Sequence, residues 1–362
     1  MTDVPTTDEP TDPTAPAAAP EDPAGVDVER VTGWFGEHAP EVAPPLTFDL
    51  VAGGRSNLTY KVTDTAGRSW VLRRPPLGQV LATAHDMGRE HRIISALAPT
   101  DVPVAPVVGL CTDEAVNGAP FYVMEFVDGL VARNAEAAAR LDVAGRRRAG
   151  EQLAHVLARI HAVDPDAVGL GDLGRKEGYI ERQLRRWYGQ WEKSKTRDLP
   201  EVDEVHAALA ARVPEQGPAT IVHGDYRLDN CMLAPDGTIA AVLDWELCTL
   251  GDPLADVGLL LVYWTDRDDT RPALLEASTT LEGFPTSAEL IARYAAESGR
   301  DVSDVGFYVA FGFWKLACIL EGVYARYRGG VMGDSSGFEG FGLQVEMLAR
   351  QAQATLEGLS PS

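Results

Sequence analysis

The amino-acid sequence predicts an α+β protein of two lobes, a smaller one built on a five-stranded antiparallel sheet and a larger, mainly helical one. Three observations predict it. Residues 47–126 carry short runs of alternating apolar and polar residues separated by turn signals. From about Gly145 onward, apolar residues recur at helical spacing. Within that region "IVHGDYRLDNCMLAPDGTIAAVLDWE", Ile221 to Glu246, holds two short apolar runs flanking "APDG", where Asp236-Gly237 signals a hairpin turn. The 362 residues suffice for two lobes, expected at 26–127 and 128–362 after a tail at 1–25.

The tail is rich in Pro, Ala, Thr and acidic residues and lacks the large apolar side chains that offset chain entropy, so it is expected to be disordered. A short amphipathic helix is expected near Val28 to His38. "LTFDLVAGGRSNLTYKVTDTAGRSWVLRR" then reads as three strands that turn at Gly53-Gly54 and at Ala66-Gly67. "HDMGREHRIISALA" reads as a helix, and "PVVGLCTDEAVNGAPFYVMEF" as two more strands joined by a loop containing Asn117-Gly118. Further helices are expected near 146–162, 178–193, 254–264, 287–298, 304–327 and 340–357. In "LGDPLADVGLLLVYW", Asp252 suits an N-cap and Pro253 the first helical position. Asp256 lies inside the same apolar helix, where a buried carboxylate needs partners such as backbone N–H groups. Bracing the loop that carries Asp225 is one such role.

A formal charge of -22 and a pI near 4.7 argue against a nucleic-acid backbone or an anionic membrane surface as partner, since both require a basic footprint. Cys111, Cys231, Cys248 and Cys318 show neither zinc-type pairing nor a disulfide framework, which fits a reducing cytoplasm. The best apolar stretch, "FYVAFGFWKLACIL", reads as too short to span a bilayer and is interrupted by Lys315. No basic-then-apolar leader opens the chain, and a soluble protein is expected.

Closing the hairpin brings Asp225 and Asn230, at the entry to its first strand, to Asp244 at the end of its second. Buried carboxylates need neutralising, and a hard divalent cation on oxygen ligands is the simplest candidate; an Asx turn-capping pair is the bland alternative. Phosphoryl transfer requires held phosphates, a metal that offsets their charge, and a carboxylate that orients the attacking hydroxyl. "GGRSN" offers Gly53, Gly54 and Ser56 in a turn whose N–H groups and hydroxyl can approach phosphate oxygens. On the third strand, alternation places Val71 and Arg73 on one face, with Trp70 and Leu72 on the other. Arg73 can then grip phosphates, oriented by Glu90 on the following helix, although taken alone the two read equally as a surface Arg and a solvated Glu.

"HGDYRLDN", followed nineteen residues after its Asp by "LDWE", resembles the aminoglycoside phosphotransferase family within the wider choline-kinase and protein-kinase-like fold. The order of parts is similar too: glycine turn, strand-three cation, helix Glu, "VMEFVDG" connector, catalytic loop and metal Asp, covering about Phe48 to Trp264. The resemblance implies that Asp225 is the catalytic carboxylate, that Arg227 approaches the transferring phosphoryl group, and that Asn230 and Asp244 hold magnesium. It implies a hinge whose Glu125 C=O and Val127 N–H pair with adenine while Val71 and Met232 pack on its two faces. ATP is the implied phosphoryl donor, with GTP an alternative, and a small-molecule hydroxyl the implied acceptor. His223 is expected to support the loop, since Asp225 already fills the proton-handling role. Arg73 departs from the Lys of many kinases, Trp245 stands where protein kinases usually have Phe, and no Ala-Pro-Glu segment follows, which argues against a protein kinase.

The combination "GGRSNLTY", "VLRRPP" and "HGDYRLDN" is most similar to the subgroup related to kinase domains fused to acyl-CoA dehydrogenases. That implies a hydroxyacyl acceptor, free or as a coenzyme A thioester. Rival readings are an aminoglycoside or amino-alcohol kinase, a nucleotide-binding module without catalysis, and a metal-dependent hydrolase built on His223, Asp225 and Asp244. The aromatic-rich "FYVAFGFWKLACILEGVYARYR" reads as core packing, with Lys315, Arg326 and Arg328 as a snorkelled basic edge, or alternatively as a pocket for an apolar or anionic acceptor.

Overall fold

A computed structural model describes residues 23–52, 57–77, 86–269, 277–329 and 340–359. Helix α1 (Val28–His38) starts where the Asp27 carboxylate accepts the Arg30 N–H. Strands β1 (Thr47–Ala52), β2 (Leu58–Thr63) and β3 (Ser69–Arg74) follow, then α2 (Met87–Leu97), β4 (Val107–Cys111), the short α3 (Glu114–Asn117) and β5 (Phe121–Glu125). The five strands form one antiparallel sheet in the order β1-β2-β3-β5-β4. Asn117-Gly118 differs from expectation: it closes a turn of helix, with Gly118 at φ 68 donating its N–H to Glu114. Asp113 caps that helix by accepting the Ala115 N–H, so the β4–β5 connection is a capped helical turn and not a plain loop. Residues 1–22 of the expected tail lie outside the described residues. Its last residues fold back on the sheet, where the Ala24 carbonyl accepts the Tyr60 hydroxyl at 2.5 Å.

The second half contains α4 (Ala135–Ala138), α5 (Val143–Ala162), α6 (Tyr179–Ser194) and α7 (Pro200–Ala210). Next come β6 (Thr220–Val222), the hairpin β7 (Cys231–Leu233) and β8 (Ile239–Val242), and β9 (Thr249–Gly251), which pairs with β6. Helices α8 (Leu254–Tyr263), α9 (Ser287–Ser298), α10 (Val305–Arg328) and α11 (Phe341–Glu357) complete it. Helix α7 and the β6–β9 pair were not expected. The first begins with Pro at its opening position and two acidic residues in its first turn, a start signal in the sequence. Strands of three residues leave too little alternation to read.

Each face of the sheet serves a different core. Leu58, Tyr60, Val62, Trp70, Leu72 and Phe121 pack under α1, where Trp34 meets Phe121 edge-on. The opposite face contributes Tyr122 and Met124 to a core that runs without a break into Leu153 and Leu157 of α5, Tyr226, the hairpin and α8. A third core gathers α6, α7, α10 and α11 around Trp191 and Trp314. All four cysteines are buried free thiols distributed among these cores.

Helix α10 is 24 residues, longer than its apolar stretch suggested, and by length and composition it could cross a membrane. Most of its apolar stretch is buried against α6, α8 and α11. Its approach to α8 is close: a Cβ on Gly258 would lie 2.5 Å from the Tyr308 carbonyl, and one on Gly312 would lie 2.9 Å from Val262. Gly258→Ala is therefore expected to lower stability in urea unfolding by about 1–3 kcal/mol through overpacking. Gly189→Ala, in α6 with open space around it, is expected to raise stability by roughly 0.5–1 kcal/mol.

Candidate active site

The loop from His223 to Asn230 joins β6 to the hairpin, and a buried carboxylate fixes its start. Asp256, in the first turn of α8, accepts the N–H of His223 at 2.6 Å and of Gly224 at 2.8 Å. His161 Nε2 lies 3.4 Å from the same carboxylate, and His161 Nδ1 lies 2.8 Å from the Tyr294 hydroxyl. Burial pushes the Asp256 carboxyl up, but His161, His223 and the Gly224 N–H together hold it below the ordinary carboxylate value. Asp252 accepts the Leu254 N–H and the Tyr308 hydroxyl, but the N-cap of α8 is Pro253, one residue later than the sequence reading placed it, because the helix begins at Leu254. Gly224 adopts φ 86, and a side chain there would strike the Leu247 carbonyl at 2.8 Å.

His223 serves the loop. Its Nε2 donates to the Leu243 carbonyl at 2.9 Å, while Nδ1 accepts the Asp225 N–H at 3.3 Å. The Leu243 N–H donates in turn to the Asn230 carbonyl at 2.8 Å. These bonds hold the end of β8 against the loop, so Asp225, Asn230 and Asp244 come together as the hairpin reading required. The Asn230 amide donates to both the carbonyl and the carboxylate of Asp225, at 2.8 and 2.9 Å, which leaves its own oxygen turned elsewhere. Burial raises the Asp225 carboxyl above its usual range, against the pull of Arg227, His223 and Asn230. Arg227 reaches Asp225 at 3.4 Å and Asp229 at 3.2 Å and lies over the Tyr263 ring at 4.7 Å. Asp244 sits at φ 63, the only non-glycine at positive φ among the described residues, a strained conformation of the kind that marks functional turns.

Arg73 crosses from β3 to this cluster. Its guanidinium meets Asp244 at 2.7 Å, Glu90 at 3.3 Å and Glu246 at 3.8 Å, so the expected Glu90 pair exists within a larger acidic ring. Asn57 on the N-terminal side donates to Glu246 at 3.4 Å. Burial, then the Asp244 charge, pushes the Glu246 carboxyl up to about 7. Glu246 and Tyr263 were not singled out from sequence, although Glu246 stands two residues after Asp244 in "LDWE".

Val71 faces the central core from β3, and Met232 is half-buried on β7. Glu125 ends β5 with its N–H on the Pro106 carbonyl, and the chain then passes Val127 to reach Leu130, which bonds Leu233 in both directions at 2.8 Å. Gly129 is needed there, because a Cβ would lie 2.7 Å from both the Leu233 carbonyl and Met232. Gly53, Gly54 and Ser56 lie outside the described residues. Lys315 departs from the snorkelled-edge reading: it is half-buried, and its ammonium lies 3.5 Å from the Gly224 carbonyl. Arg326 and Arg328 are exposed, as an edge should be. One lysine on an apolar helix leaves its direction open until the helix is docked.

Among the described residues no three His, Cys, Asp or Glu side chains gather as a self-sufficient metal site. The donor set nevertheless fits magnesium: Asn230 and Asp244 offer hard oxygens, and such an ion takes one or two carboxylates with phosphate oxygens and water.

A sheet-rich lobe joined to a helical one, with an acidic loop and hairpin between them, is the bilobal architecture of kinase-like phosphotransferases. The sequence profile of the phosphotransferase enzyme family matches residues 47–290, and the chain belongs to that family. It is 37% identical over 298 residues to acyl-CoA dehydrogenase family member 10 of Mus musculus, covering 81% of this chain and 27% of that protein. It is 32% identical over 326 residues to acyl-CoA dehydrogenase family member 11 of Rattus norvegicus, covering 87% of this chain and 41% of that protein. The chain thus spans well under half the length of either relative. A crystal structure from Ralstonia eutropha, provisionally named an aminoglycoside phosphotransferase, superposes with a TM-score of 0.80 at 34% identity, covering 92% of this chain and 99% of that one. A streptomycin–ATP complex of an aminoglycoside phosphotransferase shares the fold at 14% identity and a TM-score of 0.54, covering 82% of this chain and 90% of that one.

Glu246 generates a pH-dependent stability. Its folded value lies above the unfolded one, so its contribution is fully present below about pH 4.5 and is lost as pH rises through about 7. Glu246→Gln removes that loss, and thermal melts are expected to favour the variant over the parent more at pH 8 than at pH 5.

Proposed function

We propose that the chain is an ATP- and magnesium-dependent phosphotransferase that moves the γ-phosphoryl group onto a hydroxyl of a small molecule, with a hydroxyacyl compound or its coenzyme A thioester as acceptor. The observation that carries the reading is the convergence of Asp225, Asn230 and Asp244 with Arg73 and Arg227 through hydrogen bonds and ion pairs at the loop and hairpin. The ATP-bound structure of like fold supports the choice of donor, and the acyl-CoA dehydrogenase relatives support the choice of acceptor.

In this reading Asp225 orients the acceptor hydroxyl and takes its proton as the oxygen bonds phosphorus and the bond to the nucleoside diphosphate oxygen breaks. A carboxyl raised by burial suits that task, because it holds the proton more readily. Arg227 lies beside it and offsets charge on the transferring oxygens, while Arg73 is held at the phosphates by Glu90. Asn230 and Asp244 would hold magnesium, which when bound would offset the charge of the phosphates. Glu125 C=O and Val127 N–H take adenine between Val71 and Met232. The acidic charge and four free thiols suit a cytoplasmic protein.

Asp225→Ala is expected to cut turnover by roughly a hundred- to ten-thousand-fold while nucleotide affinity stays close to the parent's. A coupled assay of ADP release and equilibrium titration with magnesium-ATP measure the two quantities. Undiminished turnover would sink the assignment.

A further inference from the structure

We propose that Lys315 is an acceptor-recognition residue, whose ammonium binds the acyl oxygen, a carboxylate or a thioester carbonyl, of the molecule being phosphorylated. The inference rests on the phosphotransferase reading and adds the group that selects the acceptor. An ammonium withdrawn from water is costly unless it is paired. Lys315 nevertheless projects from the middle of an apolar helix, next to the buried Trp314, and reaches the loop residue immediately before Asp225. Its protein partner there is the Gly224 carbonyl at 3.5 Å, a long contact for an ammonium. Among the described residues no carboxylate stands within ion-pairing distance of it. Burial lowers its pKa, Asp256 and Asp225 pull the other way, and Arg186 adds like charge.

The surroundings fit an anionic or electron-rich group. Trp187 of α6 lies 5.8 Å from the Lys315 ammonium and 4.9 Å from the Arg186 guanidinium. Two cations and an aromatic ring therefore stand together beside Gly224, the neighbour of Asp225, in a protein whose overall charge is -22. A polycationic acceptor would meet repulsion here, whereas a hydroxyl compound with an acyl oxygen would gain a charge-assisted bond. The lysine is also held in place: the close α8–α10 packing at Gly258 and Gly312 fixes the helix that carries it.

The test compares the parent chain with Lys315→Met and Lys315→Arg. Acceptors are hydroxyalkanoates of rising chain length, their coenzyme A thioesters, and matched diols that lack the acyl oxygen. Binding is titrated with magnesium and a non-hydrolysable ATP analogue present, so it is read without turnover, and initial rates are measured separately. Lys315→Met is expected to weaken binding of the acid or thioester, and to raise its KM, by roughly ten- to a hundredfold. Diol binding, nucleotide affinity and melting temperature should stay near the parent's, and Lys315→Arg should recover part of the loss. Loss confined to the acids identifies a carboxylate as the bound group, and loss extending to the thioesters identifies the carbonyl. Unchanged acyl binding in Lys315→Met overturns the inference, as does an equal loss for diols or a parent that binds no acyl compound. A parent that binds acyl compounds through Lys315 but transfers no phosphate overturns only the catalytic reading.

Discussion

The carboxylate of Asp256 is the constraint from which the rest of the cleft follows. It sits in an apolar helix, and its partners are two consecutive backbone N–H groups of the loop before Asp225, with His161 behind it. Removing one member of such a network strands the others without water, so its members stay together or fail together. Helix α8 is packed against α10, and His161 belongs to α5, so the position of the loop is set by the helical core. Once His223 and Gly224 are fixed, His223 reaches Leu243, Leu243 reaches Asn230, and the hairpin closes against the loop.

Arg73 does for the other lobe what Asp256 does for the helical one. It is the cation on which Glu90, Asp244 and Glu246 converge, so a residue of the sheet is tied to the hairpin through charge. Burial acts against its protonated form, but the surrounding carboxylates outweigh that and keep it charged. A lysine would place one point charge where the planar guanidinium touches three carboxylates at once. That geometry gives the departure from the usual kinase lysine a physical content: the arginine suits this ring of acids.

What the sequence disclosed follows the strength of its local signals. The hairpin was legible because Asp-Gly sits between apolar runs, and the role of Asp256 because a carboxylate in an apolar helix must be satisfied somewhere. Strand alternation gave the face on which Arg73 lies, while its pairing with Glu90 followed from the phosphate-gripping role and not from the local pattern. The third and fourth members of that ring were not legible, because they depend on how the hairpin docks under the sheet. Asn117-Gly118 carries the same residues as a hairpin turn, and only the preceding Asp113 cap turned it into a helix end. The edge reading of Lys315 failed because long side chains on apolar helices usually run outward to water, and here the helix is oriented so that inward is the direction of the loop.

The four thiols have a consequence of their own. One lies in the core under α1, two in the continuous central core, and one in the core around Trp314, each buried, with burial pushing its pKa upward. An alkylating reagent needs an accessible thiolate, so it must wait for local opening before it reacts. The order in which the four become alkylated is therefore a map of which region of the protein breathes first, written in residues the chain already carries.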